Sequence, residues 1–429
     1  MMEKIRHHYF PLLFGILVVA LPFSKAIASI TEVLLLLLSL YFHITKFNKV
    51  EIGRARSILS PILIYAALLI GMLYTSDWAT GLKVLNIQHS LLTIPVIVWL
   101  NRENVARNYA RYLGLFVWSA AISGAVTVVL NMLNNQQLAN LTAKIPFIEP
   151  FASETDRLAF GYYCPFHNKI QFANLLSVAS IIAIFLLAEV KKRLFWIPLG
   201  ILLLSAILTG GRGAQIGLLV GLGIWTLQKL ITKVFPSLKG RIGAWQARIV
   251  LIGAFLFMGL GLPYLAYKTV PNVNKRYGQL MWEIGTIRDG TYKQYNYQEF
   301  TSLRRIVSLN NMWTLAKQHP LLGTGTGDYP AAIKQIYELD GFDLPVNNHS
   351  QYLYCWGAVG LVGLGLFFFA VVYWLQSLRP KQLAYGFGLA LMGFYLVSML
   401  PDAILLRQLD NMCFPLFMGI IACINQRNG

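Results

Sequence analysis

Charged residues are scarce in this chain. Only 13% of its 429 residues are charged and 56% are hydrophobic, with a mean hydropathy of +0.56. A water-soluble domain needs a charged surface, so this composition excludes that class and indicates a polytopic membrane protein. Acidic residues are especially few, 18 against 36 Lys and Arg, which gives a net charge of +18. The basic residues lie in short clusters between apolar runs, a pattern typical of topology signals rather than of nucleic-acid binding.

Cysteine and metal-binding motifs are also sparse. The four cysteines show no paired spacing, so no disulfide framework is indicated, although a Cys164–Cys355 bridge stays open if both face one compartment. There is no Asp-x-Asp pair and no His-Glu-x-x-His, and few acids lie within the apolar runs beyond Glu32. These absences argue against a metal-dependent enzyme and against a transporter driven through buried carboxylates. No fixed-period repeat is present, which removes solenoid architectures.

Long apolar runs are what the chain does contain. A helix needs roughly 20 residues to cross about 30 Å of hydrocarbon. Twelve runs approach that length, at residues 10–24, 27–45, 58–75, 86–101, 112–131, 171–189, 194–210, 213–232, 249–267, 351–376, 383–400 and 409–425. The sequence therefore predicts an all-α polytopic membrane protein with about 12 transmembrane helices.

The basic clusters predict how these runs are oriented. Short cytoplasmic loops collect Lys and Arg, and alternate loops do so here, as at Lys191-Lys192-Arg193. Both termini are then cytoplasmic, and the first run is a retained span because no small-residue cleavage site follows its basic start. The regions are 1–267 with transmembrane helices 1–9 and an outer segment at 132–170, 268–349 as a large outer loop, and 350–429 with transmembrane helices 10–12.

The large outer loop is predicted to be partly helical. A helical pattern covers residues 303–318, and Arg304 shares a polar stripe there with Ser308 and Asn311. Arg305 lies at the edge of the apolar stripe. One arginine is expected to face water and the other the surface on which the helix packs.

His349 ends the large loop, among Asn347, Asn348, Ser350 and Gln351. An unperturbed pKa near 6.5 suits a histidine to general-base work at neutral pH. The alternative is a surface histidine at a helix start, where Asn348 or Ser350 is only a cap. The sequence leaves both interpretations open.

Two arginines are candidates for holding a phosphate. Arg212 lies between glycines at the outer membrane boundary, where a charge is costly unless it reaches water or a partner. Flanking glycines let a ligand approach the backbone, and a guanidinium can bind a phosphate bidentately. The alternative is an arginine that only reaches lipid headgroups. Arg305, with Arg304 beside it, has the same potential and a structural ion pair as its alternative.

Other outer-face residues are weaker candidates for substrate contacts. They are His167, Asn168, Lys25, Lys83, Arg157 and Asn348. An ordinary helix start is the alternative for His167-Asn168, and an interfacial anchor is the alternative for each isolated cation. The run Gly323-Thr-Gly325-Thr-Gly327 is interpreted as a turn, because no Lys-Ser/Thr follows as in a phosphate-binding loop.

The spacing of these residues resembles the O-antigen ligases, inner-membrane enzymes of Gram-negative bacteria. His349-Ser350, nine residues and Gly360-Leu-Val-Gly363 are similar to the family's His-[Asn/Ser/Gln]-x9-Gly-x-x-Gly motif. Leu208-Thr-Gly-Gly-Arg212-Gly resembles the family's Leu-Thr-x-Ser-Arg-Gly, with Gly211 where Ser is frequent. Arg305-x7-Trp313, followed by His319-Pro-Leu-Leu-Gly323-Thr-Gly325, resembles its large-loop signature.

The resemblance implies a GT-C-like membrane glycosyltransferase with one large periplasmic loop. Its donor would be a glycan on undecaprenyl diphosphate, and its acceptor would be lipid A-core. His349 would take the proton of the acceptor hydroxyl, while Arg212 and Arg305 would bind the diphosphate leaving group. The resemblance implies neither a metal nor a cofactor, because fixed guanidinium charges can stabilise a diphosphate.

The sequence leaves three alternatives to the ligase function open. O-antigen polymerases and bacterial protein O-oligosaccharyltransferases share these motifs, so the resemblance defines the chemistry better than the acceptor. A polysaccharide or lipid transporter is a different class. It would show internal repeats or broken spans at mid-membrane.

Overall fold

The protein is an all-α polytopic membrane protein, seen in a computed structural model. The structure describes residues 2–44, 56–133, 135–142, 144, 163–234, 268, 278, 281–286, 288–291, 301–339, 348–380 and 382–427. The helices referred to below are α1 (Met2–Ala20), α2 (Lys25–Ile44), α3 (Pro61–Met72), α4 (Trp78–Ile87), α5 (Ser90–Leu100), α6 (Arg102–Met132), α7 (Asn135–Thr142), α8 (Lys169–Ala188), α9 (Trp196–Thr209), α10 (Arg212–Lys229), α11 (Thr301–Gln318), α12 (Tyr329–Leu339), α13 (Gln351–Gln376), α14 (Tyr385–Ser398) and α15 (Gln408–Arg427).

The predicted apolar runs coincide with these helices, apart from 249–267, which lies outside the described residues. Within the described part of the chain, six spans are long and apolar enough to cross a membrane, and shorter apolar helices cover Tyr9–Ala20, Arg56–Met72, Arg193–Thr209 and Tyr385–Ser398. The run at 86–101 was predicted too short. It begins at Trp78, and a break at Gln88 and His89 divides it into α4 and α5.

Two helices form the centre of the bundle. Some 83% of the apolar window of α8 is buried, and the residues of α15 from Leu409 to Asn425 are buried throughout. The α15 helix contains a carboxylate that the sequence reasoning passed over, Asp410. It is only 3% exposed, and its Oδ1 accepts a hydrogen bond of 3.1 Å from Asn174 of α8.

Helices α10 and α14 pack closely because α10 presents small residues to α14. A Cβ added at Gly217 would lie 2.4 Å from Ser398 Oγ, and one at Gly221 would lie 2.7 Å from the Ala390 carbonyl oxygen. Glycines four residues apart let two membrane helices approach at backbone distance. This packing places the start of α10 beside the loop that follows α14.

The segment from Pro320 to Asp328 docks between α3 and α13. The backbone N–H groups of Thr324 and Gly325 donate to the carbonyls of Gly357 and Ala358 in α13, each at 2.9 Å. On the α3 side, Thr326 Oγ1 donates to the Leu68 carbonyl at 2.8 Å. The glycine-threonine run is therefore a turn, as predicted, and it is fastened to two transmembrane helices.

Gly360 makes this docking sterically feasible. Its φ of 71° and ψ of −166° interrupt α13, a conformation that only glycine adopts readily. A Cβ at this position would lie 2.1 Å from the carbonyl oxygen of Leu321 in the docked segment. Two pieces of the sequence pattern, the 319–325 run and the Gly360 motif, thus contact each other in the fold.

The four cysteines, including Cys164 and Cys355, are buried and are not in disulfides. The Cys164–Cys355 bridge that the sequence left open is not formed.

Candidate active site

His349 lies in a short extended segment directly before α13. Ser350 caps that helix by accepting a hydrogen bond from the backbone N–H of Leu353. The segment is joined to the loop between α14 and α15. The N–H of Ala403 donates to the Asn348 carbonyl at 3.1 Å, and that of Gln351 donates to the Met399 carbonyl at 3.0 Å. These hydrogen bonds fix the position of the backbone from which the His349 side chain extends.

The side chains on either side of His349 are held in place. Tyr329, only 1% exposed, donates its hydroxyl to Asn348 Oδ1 at 3.0 Å. Gln351 accepts a 3.0 Å hydrogen bond from the backbone N–H of Leu405. Asn348 therefore has a structural contact, and its predicted role toward substrate stays a prediction.

Three arginines place positive charge around His349. Its pKa is lowered from 6.5 to about 4, first by burial and then by the charges of Arg305, Arg304 and Arg407, in that order. A hydrogen bond from the imidazole to the Pro401 backbone carbonyl opposes these effects. The imidazole is therefore neutral at pH 7 and can accept a proton.

The expectation that one loop arginine faces water was wrong. Arg304 and Arg305 are both partly buried, and both charges act on His349. The reason is that the polar stripe of α11 packs inward, with Ser308 1% exposed and Asn311 0% exposed. The charges of these neighbouring arginines therefore both act on His349.

Asp402 and Arg407 belong to the site and were missed by the sequence reasoning. Arg407 Nη2 contacts both carboxylate oxygens of Asp402, at 3.0 Å and 2.8 Å. Burial raises the pKa of the Asp402 carboxyl, while the charges of Arg407 and Arg305 oppose that rise. An acid and an arginine in a short outer loop, five residues apart, were the available signal.

Arg212 is the exposed first residue of α10. A Cβ added at the next residue, Gly213, would lie 3.1 Å from Cγ of Pro401, whose carbonyl bonds His349. Helix α10 thus begins against the same loop that carries Asp402 and Arg407.

Gly211 occupies a position without room for a side chain. A Cβ there would lie 2.4 Å from the Ala173 Cβ of α8. Glycine at this position therefore lets α8 and α10 pack closely.

His167 and Asn168 have structural contacts. His167 is 0% exposed and donates from Nε2 to the Leu21 carbonyl at 2.8 Å, and burial lowers its pKa to about 4. Asn168 caps α8 by accepting from the Ile170 N–H at 3.0 Å. The structure therefore places both at an anchored helix start, and their predicted substrate contacts stay predictions.

The remaining predicted cations are Lys25, Lys83 and Arg157. Lys25 Nζ donates to Gln171 Oε1 at 2.8 Å, and Lys83 is exposed on α4. Arg157 lies outside the described residues. Of the predicted site residues, the structure brings together His349, Arg305 and Arg304, with Arg212 at the adjoining helix start.

Across the described residues, no three His, Cys, Asp or Glu side chains gather as a metal site would require. The positive charges that act on His349 belong to guanidinium groups.

Comparison with known families gives one match. A family model described as O-antigen ligase matches residues 197–369. That stretch contains Arg212, Arg305 and His349, and it leaves α1 to α8 and the 402–407 loop outside. No curated protein matches the chain.

Proposed function

We propose that this chain, whose residues 197–369 match the O-antigen ligase family model, is an enzyme of that superfamily and transfers a surface polysaccharide from undecaprenyl diphosphate to lipid A-core. The reaction takes place at the periplasmic face of the bacterial inner membrane. The observation that supports this proposal is the convergence of three arginine charges on the neutral imidazole of His349. A base next to fixed cations suits a reaction in which a hydroxyl attacks and a diphosphate leaves.

The proposed step is a single displacement. The acceptor hydroxyl oxygen forms a bond to the anomeric carbon of the donor glycan, and the bond from that carbon to the diphosphate oxygen breaks. His349 accepts the hydroxyl proton on a ring nitrogen. The diphosphate leaves with the bonding electron pair, and Arg212 and Arg305 stabilise its charge. Attack opposite the leaving group inverts the anomeric centre.

The arginine cluster also connects donor binding to the strength of the base. Without a donor, the charges of Arg305, Arg304 and Arg407 contribute to a His349 pKa of about 4. A bound diphosphate offsets those charges, so the pKa of His349 rises when the donor is present. The imidazole then becomes a better proton acceptor at the moment it is needed.

The test is transfer of a lipid-diphosphate glycan to lipid A-core by purified protein. We expect His349→Ala to lower the rate by about 10²- to 10⁴-fold, the contribution of a general base. Unchanged transfer by that variant would remove His349 from the mechanism. Lys334→Ala, an exposed position on α12, is the control. Transfer should also persist in a chelator, because the proposal gives the leaving group no metal.

The acceptor separates this proposal from its closest relatives. Polymerisation of O-units, or transfer to a protein, uses the same proposed chemistry with another hydroxyl. Deletion of the gene should leave lipid-linked polymer in the cell and core without attached polysaccharide. Loss of long polymer would instead identify a polymerase. Glycan movement that survives His349→Ala would favour a transporter.

A further inference from the structure

A groove opens between α2 and α4 toward the membrane. Its volume is about 570 Å³, and its walls include Ile30, Val33 and Leu34 of α2 and Ile87 of α4. These four side chains are between 43% and 62% exposed, so the groove is open to a ligand that arrives laterally. It lies outside the residues 197–369 matched by the family model.

The groove exists because α4 and α5 are separated by a break. Glu32 of α2, 0% exposed, lies at the start of α5 and accepts hydrogen bonds from the hydroxyls of Ser90, at 2.8 Å, and Thr93. A helix N-terminus stabilises a carboxylate in this position. This contact joins α2 to α5, on the C-terminal side of the break at Gln88 and His89. Helix α4, on the N-terminal side of the break, forms the other wall of the groove.

The polar floor of the groove is satisfied within the protein. His89 Nε2 lies 3.6 Å from the Glu32 carboxylate, and His89 Nδ1 donates to the Asn86 carbonyl at 2.6 Å. A hydrocarbon chain bound over His89 and Glu32 therefore leaves the contacts of both side chains within the protein intact. An occupant without hydrogen-bonding groups fits the groove on these grounds.

One end of the groove is lined by Gln408, the residue that follows Arg407. Gln408 donates to Ser29 Oγ at 2.6 Å, which joins α15 to the first turn of α2. The charge of Arg407 acts on His349. From Ser29 the lining runs inward along Ile30, Val33 and Leu34, so a chain entering at this end passes directly into hydrocarbon.

We propose that this groove binds the first part of the isoprenoid chain of the lipid-linked donor. The inference rests on the proposed function, because it requires a diphosphate at the arginine site. That diphosphate is bonded directly to its lipid, so the chain must enter the membrane close to the arginine site, and Gln408 places the end of this groove next to the loop that carries Arg407. In the acceptor, the core sugars separate the lipid from the reacting hydroxyl. The acceptor lipid therefore does not have to lie next to the reacting groups, and the groove is assigned to the donor.

Photolabelling tests occupancy without requiring transfer. A benzophenone-bearing isoprenoid phosphate that lacks sugar would be added to the protein in phosphatidylethanolamine and phosphatidylglycerol nanodiscs. We expect label on the α2 and α4 peptides that contain Val33 and Ile87, suppressed by unlabelled undecaprenyl phosphate. Label spread along the lipid-facing side of α1, or suppressed only by lipid A, would overturn the inference.

Filling the groove tests its role in donor binding. Val33→Trp and Ile30→Trp should raise KM for the long-chain donor on the order of tenfold by removing apolar burial. Both positions face the membrane, so the folded protein is expected to tolerate them. A donor with a chain too short to reach Val33 should keep its KM in Val33→Trp. Leu219→Trp, at a residue 68% exposed on α10, is the control.

The two proposals can fail separately. Groove labelling without any glycan transfer would overturn the proposed function and support an isoprenoid site. Normal transfer, with groove variants that behave like Leu219→Trp, would overturn the groove inference alone.

Discussion

His349 illustrates how one residue's chemistry depends on its neighbours. An imidazole has an ordinary pKa of 6.5, and burial with three nearby guanidinium groups lowers it to about 4. In the free protein the side chain therefore stays unprotonated as the pH falls through 6. The diphosphate is the group expected to change that balance, because its charge is opposite to that of the arginines.

This electrostatic coupling predicts that kcat/KM and kcat fall at different pH values as the solution is made more acidic. The pH profile of kcat/KM for the donor reports the free protein and should fall only near pH 4, because the pKa of His349 is about 4 there. The profile of kcat reports the donor-bound protein and should fall at a higher pH. Steady-state rates measured from pH 4 to 8 check this.

A variant that lacks one of the three arginine charges provides the control for the pH profiles of kcat/KM and kcat. Arg407→Gln removes one cation that lowers the pKa of His349, so its kcat/KM limb should move to higher pH. Identical limbs for kcat and kcat/KM in the unmodified protein would contradict the coupling.

For His167 we expect an effect on stability rather than on activity. Its Nε2 bond to the Leu21 carbonyl joins the start of α8 to the end of α1 in a fully buried position. His167→Ala should lower the free energy of unfolding by about 1–3 kcal/mol, because it leaves the buried Leu21 carbonyl without its partner, and should leave KM for the donor unchanged. Thermal unfolding and steady-state kinetics measure the two effects.

His167→Gln is the matched comparison, because it keeps a side-chain N–H donor. It should recover part of the lost stability. A raised KM with unchanged stability in His167→Ala would instead support the substrate contact predicted from the sequence.

At the scale of helices, Gly360 determines how the large loop meets the membrane bundle. The break in α13 gives the 320–328 segment carbonyl and N–H partners that an unbroken helix would use internally. The same helix begins just after His349, so docking of this segment and placement of the base depend on one element.

We predict that Gly360→Ala impairs both stability and transfer. Alanine at a φ of 71° and a ψ of −166° costs about 1–3 kcal/mol, and its Cβ would meet the Leu321 carbonyl oxygen at 2.1 Å. Thermal unfolding and the transfer rate are the measurements. Gly365→Ala on the same helix is the control, because no atom lies within 4 Å of its added Cβ. Equal behaviour of the two variants would contradict the docking argument.

At the scale of the whole molecule, the basic loops predict orientation across the membrane. Lys83 and Arg379 are both exposed, and the predicted topology places Lys83 outside and Arg379 in the cytoplasm. Single Lys83→Cys and Arg379→Cys variants should therefore differ in intact cells with a permeable outer membrane. A membrane-impermeant maleimide should label Cys at 83 and reach Cys at 379 only after lysis.

Background in that experiment should be low, because the four native cysteines are buried. Labelling of position 379 in intact cells would reverse the orientation and move the candidate active site to the cytoplasmic face. Such a result would also contradict a periplasmic transferase.

The site is assembled from distant parts of the chain. Arg212 begins α10, Arg304 and Arg305 lie on α11, His349 precedes α13, and Asp402 and Arg407 lie between α14 and α15. Sequence reasoning identified the first four through residue type, local spacing and resemblance. It missed the last two because an acid and an arginine in a short loop become informative only when that loop meets His349.

The sequence by itself determined the all-α membrane class, the positions of most helices and the helix within the large loop. Those features depend on local quantities, namely runs of apolar residues and glycine or proline at helix ends. Tertiary structure alone decided that both loop arginines act on His349, that Gly360 receives the docked segment, and that His167 is an anchor. The reason is that pKa values, burial and backbone clearance depend on groups far apart along the chain.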